Sequence, residues 1–399
     1  MNRLRCRWLL AWMALLLAGL CRADEDDYAL HFGVHFNVQK QVVEARLRVE
    51  QSKTAIDSID FEAPVDHFSR FKGDGKIEQR NGRVSWTIPK KGGELRWEYI
   101  VDTQRGSGYD ALFTKDWAIL RLDSVFPGAR TRTNKSADVT ATLELSGPKH
   151  WAIDTRYGKW LGKKHVLPAE SGRGYRRPNG WMIAGEIGIR RDVIAGRGVA
   201  VAAPAGEPIR RLDTLAFLSW TLPELVRVFP DMPVNLLIVT AGKPMWRGGL
   251  SGPGSLFLHA DRPMISENST TPILHELVHL ASRSRMADGE DWLVEGLAEY
   301  YGMVFLKRSG GISQDRFDKA INWQRDWANR KGGKLSEPSR GANTARAVVK
   351  LADLDRRLPG GLDAWIASVP KDKKIDCASL ARFAAKTKTV FWGCDIGAG

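Results

Sequence analysis

No stretch of this chain restricts its fold more than Thr271-Pro272-Ile273-Leu274-His275-Glu276-Leu277-Val278-His279. Thr271 suits a helix N-cap and Pro272 its first turn, so the run predicts a helix that starts here. On that helix His275 and His279 stand one turn apart, separated by about 40° of rotation and about 6 Å of rise, so both imidazoles can aim at one point. That point suits a metal ion. Glu276 is turned about 100° from His275, off the ligand line but placed to reach a water on the metal as a general base.

A catalytic zinc usually takes three protein ligands and leaves a fourth position open. The third is sought in Trp292-Leu293-Val294-Glu295-Gly296-Leu297-Ala298-Glu299-Tyr300-Tyr301, a second apolar-periodic segment separated from the first by a polar turn. Glu295 is the expected ligand. Glu299 falls one turn further on the same face, where its carboxylate can accept the free N–H of a zinc histidine. The alternative is a helix pair whose histidines and glutamates merely satisfy one another. A metzincin is excluded, since Ser282 and Arg285 stand where that pattern needs glycine and histidine.

This order of parts resembles the gluzincin metallopeptidases, and within them the glycyl aminopeptidase family and its larger aminopeptidase cousins. The resemblance implies an α+β chain, with an N-terminal antiparallel β-domain followed by a thermolysin-like zincin domain and a helical C-terminal part. It implies Zn²⁺ as cofactor, peptide or protein as substrate, and amide hydrolysis by a zinc-activated water. It also implies a strand that runs along the cleft and pairs with substrate, for which Ser255-Leu256-Phe257-Leu258 and the two residues after it are the candidate. Two family features are absent. No tyrosine follows Tyr301 to stabilise the oxyanion, and in the similar-looking segment 341–348 Arg346 is the substitute considered, beside Asn343 and Thr344. Ser251 stands where aminopeptidases keep an amine-gripping glutamate, so exo- and endopeptidase action both stay open. A protein that keeps the scaffold but only binds peptides or an anionic envelope polymer is the second reading.

The rest of the sequence supplies the setting. Arg3, Arg5 and Arg7 precede an apolar run from Trp8 to Leu20 that is short for a membrane span, and residues 1–23 read as a secretory signal. The chain is expected to be periplasmic or secreted, with no transmembrane span once the signal is removed. Of the four cysteines, Cys377 and Cys394 remain, and in an exported chain such a pair is most simply a disulfide. The formal net charge is +14 and the mature chain stays basic. No nucleic-acid motif accompanies that charge. The cluster Arg325, Arg330, Lys331 and Lys334, interleaved with Trp323 and Trp327, is either a solvated face or a polymer site.

From Tyr28 to about His150 the apolar period is two (Leu30, Phe32, Val34, Phe36; Val84, Trp86, Ile88; Leu95, Trp97, Tyr99), with a hairpin turn at Asn81-Gly82. A β-domain over 24–160, a catalytic domain over 161–310 and a helical region over 311–399 are therefore expected.

Overall fold

The computed structural model describes residues 27–134, 137–160, 165–168, 174–282, 290–371 and 373–390. The signal segment and Cys394 lie outside the described residues. The chain divides into two compact units, the first built from residues up to Ile100 with Val125–Gly147 and Gly162–Pro178, the second from Val101–Ser124, Pro148–Leu161 and Asn179 onward.

The first unit is a β-sandwich. One sheet runs in the order His165–Val166, Val139–Ser146, Tyr28–Asn37, Val42–Gln51, Gly92–Tyr99, Phe68–Gly73, and the other Ala129–Thr133, Ile56–Glu62, Arg83–Thr87, Lys76–Arg80. The alternating residues Leu30, Phe32, Val34 and Phe36 are buried, as the period of two requires. Phe61 from one sheet meets Trp97 from the other at 5.7 Å between ring centroids. Asn81 and Gly82 turn the last hairpin at φ 51° and 70°, the positive angles a tight two-residue turn needs. The expected all-antiparallel sheet is corrected at one place, because Tyr28–Asn37 runs parallel to Val139–Ser146. Alternation tells which face a strand buries but not the direction of its neighbour, and the long connection between these two strands permits either.

The second unit holds an antiparallel sheet in the order Gly158–Trp160, Ala152–Thr155, Trp181–Gly185, Trp117–Arg121, Gly108–Phe113, Thr103–Arg105, and a mixed sheet in the order Ile187–Ile194, Arg197–Pro204, Asn235–Ala241, Ser255–His259, Gly249–Gly252. Ile119, Trp181 and Ile183 of the former share a core with Leu237, Val239 and Phe257 of the latter. This common core is why a single boundary near residue 160 fails: strands before it belong with the catalytic half. On its other face the mixed sheet sets Leu236, Ile238 and Leu256 against the helices. Burial on both faces explains why Asn235–Ala241 and Ser255–His259 read as continuous apolar runs.

Helix Arg211–Val228, with Pro223 inside it, joins two parallel strands of this sheet. The motif helix Pro272–Ser282, the glutamate helix Asp291–Arg308 and the helices Gln314–Lys331, Ala342–Arg357, Gly361–Ser368 and Cys377–Lys386 complete the unit. Cys377 is buried at the start of the last of these. Among the described residues no helix is long and apolar enough to cross a membrane.

Candidate metal centre

The motif helix buries Ile273, Leu274, Leu277, Val278 and Ala281 in the core and leaves His275 and His279 on the opposite side. Its start is pinned from outside: Arg316 donates from Nε to Ser269 Oγ at 3.0 Å and from Nη2 to the Ser266 carbonyl at 3.2 Å, while Thr271 O accepts the His275 N–H. The glutamate helix is buried almost all round, including Leu293, Leu297, Ala298, Tyr301 and Met303. A helix apolar on every face belongs inside a core, and its two half-exposed glutamates are then the exceptions to explain.

Glycines let these helices approach. A Cβ at Gly296 would stand 2.8 Å from Ala347 Cβ, so glycine next to Glu295 is what allows the helix Ala342–Arg357 so close. Tyr300 and Tyr301 anchor the glutamate helix by donating to Asp355 Oδ2 at 2.6 Å and Asp363 Oδ1 at 2.9 Å. Burial and those carboxylates raise both phenols above the usual tyrosine range, so they are fixed donors in the scaffold.

His275 Nε2 lies 3.0 Å from His279 Nε2, and each lies 3.4 Å from a carboxylate oxygen of Glu295. Ligands about 2.0–2.1 Å from a tetrahedral zinc stand about 3.3–3.4 Å apart, so the three groups are already spaced as zinc requires. Their chemistry fits as well. His275 Nδ1 faces Glu299 Oε2 at 3.0 Å; a proton held there leaves Nε2 with its lone pair toward Glu295 and His279. His275, His279 and Glu295 are the group of potential ligands that converges among the described residues. Burial would lower the His275 pKa, but Glu295 and Glu299 outweigh it and push it up to about 10. Burial would raise Glu295, but the two imidazoles hold its carboxyl well below the ordinary value. The His275 shift expresses the negative charge that a cation would compensate.

Glu276 is buried and packs on the sheet. A Cβ at Gly249 would stand 2.8 Å from its Oε1 and 2.9 Å from its Cγ. Here the expected substrate strand is corrected: Ser255–His259 is an interior strand, paired with Asn235–Ala241 on one side and Gly249–Gly252 on the other. The edge is Gly249–Gly252. His259 N–H donates to Gly248 O at 2.9 Å, so by the alternation of an antiparallel ladder Leu250 also faces inward, where Trp181 Nε1 shares its carbonyl. Gly249 and Ser251 then turn their backbone N–H and C=O outward. The signal overlooked in the sequence is Gly252-Pro253-Gly254, a turn that makes a hairpin of the two short strands and gives the outer place to the first.

Arg346 is also corrected. Its Nη2 bonds Asn329 Oδ1 at 3.3 Å on the helix Gln314–Lys331, and no contact among the described residues brings it to the ligand cluster. Helix periodicity explains this, since Ala347, about 100° round, is the residue facing Gly296. Asn343 and Thr344 serve the preceding loop through Lys334 N and Ser339 Oγ. In the basic cluster, Arg325 is taken up by Asn322 and Asp353 and Lys334 by Glu337, so an anionic polymer partner draws no support from it.

Comparison with solved structures decides the architecture. An aminopeptidase N family protein from Idiomarina loihiensis superposes with a TM-score of 0.61 at 13% identity, over 90% of this chain and 70% of that one. A mutant M1 zinc metallopeptidase from Deinococcus radiodurans gives 0.59 at 16% identity over 91% of both chains. The chain has the fold of the M1 zinc metallopeptidases. Another structure of the Deinococcus mutant, with a TM-score of 0.55 at 15% identity over 91% of this chain and 90% of that one, is described as bound to a Tyr-Ser-Ala substrate. No protein-family profile and no curated protein matches the chain.

Glu299 touches His275 Nδ1 and is not one of the three converging groups, so we expect it to act on a bound metal only through that histidine. Glu299→Ala is expected to weaken zinc affinity about 10–100-fold, the usual cost of losing a partner behind a ligand. Glu295→Ala should abolish stoichiometric binding. Competition with a chromogenic chelator measures both, and equal loss in the two variants reverses the assignment.

Proposed function

We propose that the protein is an exported zinc metallopeptidase that hydrolyses peptide bonds. The observation that carries this reading is the convergence of His275 Nε2, His279 Nε2 and Glu295 at zinc-ligand spacing, with Glu276 buried beside the free edge of a sheet. When bound, zinc would polarise the scissile carbonyl and make a water an effective nucleophile near neutral pH. Glu276 takes the proton of that water on its carboxylate and delivers it to the leaving amine. Glu299 holds His275 in the tautomer that presents Nε2, and the outward groups of Gly249 and Ser251 receive the substrate backbone as an added strand. Residues 1–23 supply the export signal, and a Cys377–Cys394 disulfide would suit that compartment.

A second reading, a peptide-binding protein with weak or no turnover, is favoured by the turn of Arg346 toward Asn329 and by the engagement of both late tyrosines with aspartates. Metal removal separates the two. Purified protein should cleave a quenched peptide library, lose that activity to a chelator and regain it with one equivalent of zinc. Peptide binding with no zinc-dependent cleavage supports the second reading.

A further inference from the structure

We infer that Arg105 and Trp246 form a subsite for a carboxylate on the C-terminal side of the scissile bond, an inference that rests on the peptidase reading above. Gly249 abuts Glu276, so the bond under attack lies level with Gly249. One residue back, a Cβ at Gly248 would fall inside the Trp246 indole, 1.8 Å from Cζ3 and 2.0 Å from Cη2. The ring therefore packs on the residue next to the reacting position, on the face of the strand away from Glu276, and glycine alone makes room for it. A substrate added antiparallel to Gly249–Gly252, the commoner mode of pairing, runs from the Gly252 end toward Gly249. Past the scissile bond, the side chain that alternation turns to the face away from Glu276 then reaches Trp246.

The backbone that carries the indole is held in place: the Trp246 backbone N–H donates to Tyr109 O at 2.9 Å, and the Tyr109 backbone N–H donates to Pro244 O at 3.2 Å. Gly108 closes the same contact, since a Cβ there would stand 2.8 Å from Trp246 Cα and N. The Arg105 guanidinium carbon lies 4.2 Å from the indole centroid, a cation–π distance. Its Nη1 faces Asp110 at 3.3 Å, and its Nε and Nη2 edge carries no hydrogen bond among the described residues. Arg105 and Asp110 are 44% and 28% exposed, so that ion pair is weak and leaves the fork able to accept a second carboxylate. A stacked guanidinium with one free edge suits bidentate carboxylate recognition, and the indole supplies the apolar shelf beneath.

The chemistry fits a chain-terminal carboxylate or an aspartate or glutamate side chain one or two residues past the cut. The test uses the zinc-loaded protein and one core peptide in three forms: free C-terminal acid, C-terminal amide, and amide with glutamate in that position. Steady-state kinetics on the active protein are paired with calorimetric binding to its Glu276→Gln variant. The acid or the glutamate form should have a KM and a Kd about 10–100-fold lower than the plain amide, in line with a charge-assisted pair. Which of the two gains identifies the carboxylate's source. Arg105→Ala should remove the preference through KM with kcat unchanged, Arg105→Lys should restore part of it, and Asp110→Asn should enlarge it. No preference in the unaltered protein, or one that survives Arg105→Ala, overturns the subsite. If nothing is cleaved but the Glu276→Gln protein binds with an Arg105-dependent preference, the subsite stands and the peptidase reading falls. If there is neither cleavage nor binding, both fall.

Discussion

Glu276→Gln should retain one zinc per chain and lose about 10²–10⁴-fold in peptide hydrolysis, while His279→Ala should lose the metal itself. The two expectations differ because the two side chains do different work. His279 contributes Nε2 to the cluster with His275 and Glu295, and deleting it leaves two donors where zinc needs three from the protein. Glu276 faces Gly249 on the edge strand, and on the proposed reading its carboxylate would serve the attacking water there. Glutamine keeps its shape, so packing against Gly249 should survive and only the proton transfer is removed. Metal content by elemental analysis and turnover of one quenched peptide measure the pair of variants. Equal metal loss in both would mean that base and ligand have been exchanged. Unchanged hydrolysis in Glu276→Gln would remove it from the chemistry.

The convergence of His275, His279 and Glu295 was legible in the sequence because helical spacing is rigid. Once Pro272–Ser282 and Asp291–Arg308 are helices, the i, i+4 pairs His275/His279 and Glu295/Glu299 have little freedom in where they point. The strands of the first unit were legible for the same reason, through alternation such as Leu30, Phe32, Val34 and Phe36. What was misread depends on neighbours rather than on period. Ser255–His259 and Gly249–Gly252 are both short, and only pairing shows that the apolar one is interior and the glycine-rich one is the edge. The parallel partner of Tyr28–Asn37 and the core shared by Ile119, Trp181 and Phe257 are likewise long-range facts. Arg346 illustrates the limit on a helix. One position of rotation separates it from Ala347, which faces the glutamate helix, and that turn takes its guanidinium to Asn329.

Blocking the substrate's amino terminus should not reduce cleavage, and longer peptides should be better substrates than aminoacyl reporters. An exopeptidase that requires a free amine must hold an ammonium group with an anion near the cut, and where the resemblance to aminopeptidases places that glutamate this chain has Ser251, a neutral hydroxyl on the edge strand. The strand offers instead its backbone, with the N–H and C=O of Gly249 and Ser251 turned outward, and backbone pairing is indifferent to whether the chain begins there. Each further residue that pairs adds binding remote from the reacting carbonyl, and that binding can be realised in the transition state, which would count most if the oxyanion has no tyrosine donor, as the lack of any tyrosine after Tyr301 leads us to expect. Loss of such a donor typically costs about 10²–10³-fold in rate, so short reporters with nothing to pair should be cleaved slowly if at all. The comparison is kcat/KM for free and N-acetylated forms of one peptide series of increasing length, with Glu276→Gln as the blank. Values that rise with length and are unaffected by acetylation are expected. A strong preference for the free amine, with no gain from length, would instead require an anion near Ser251 and return the protein to the aminopeptidases.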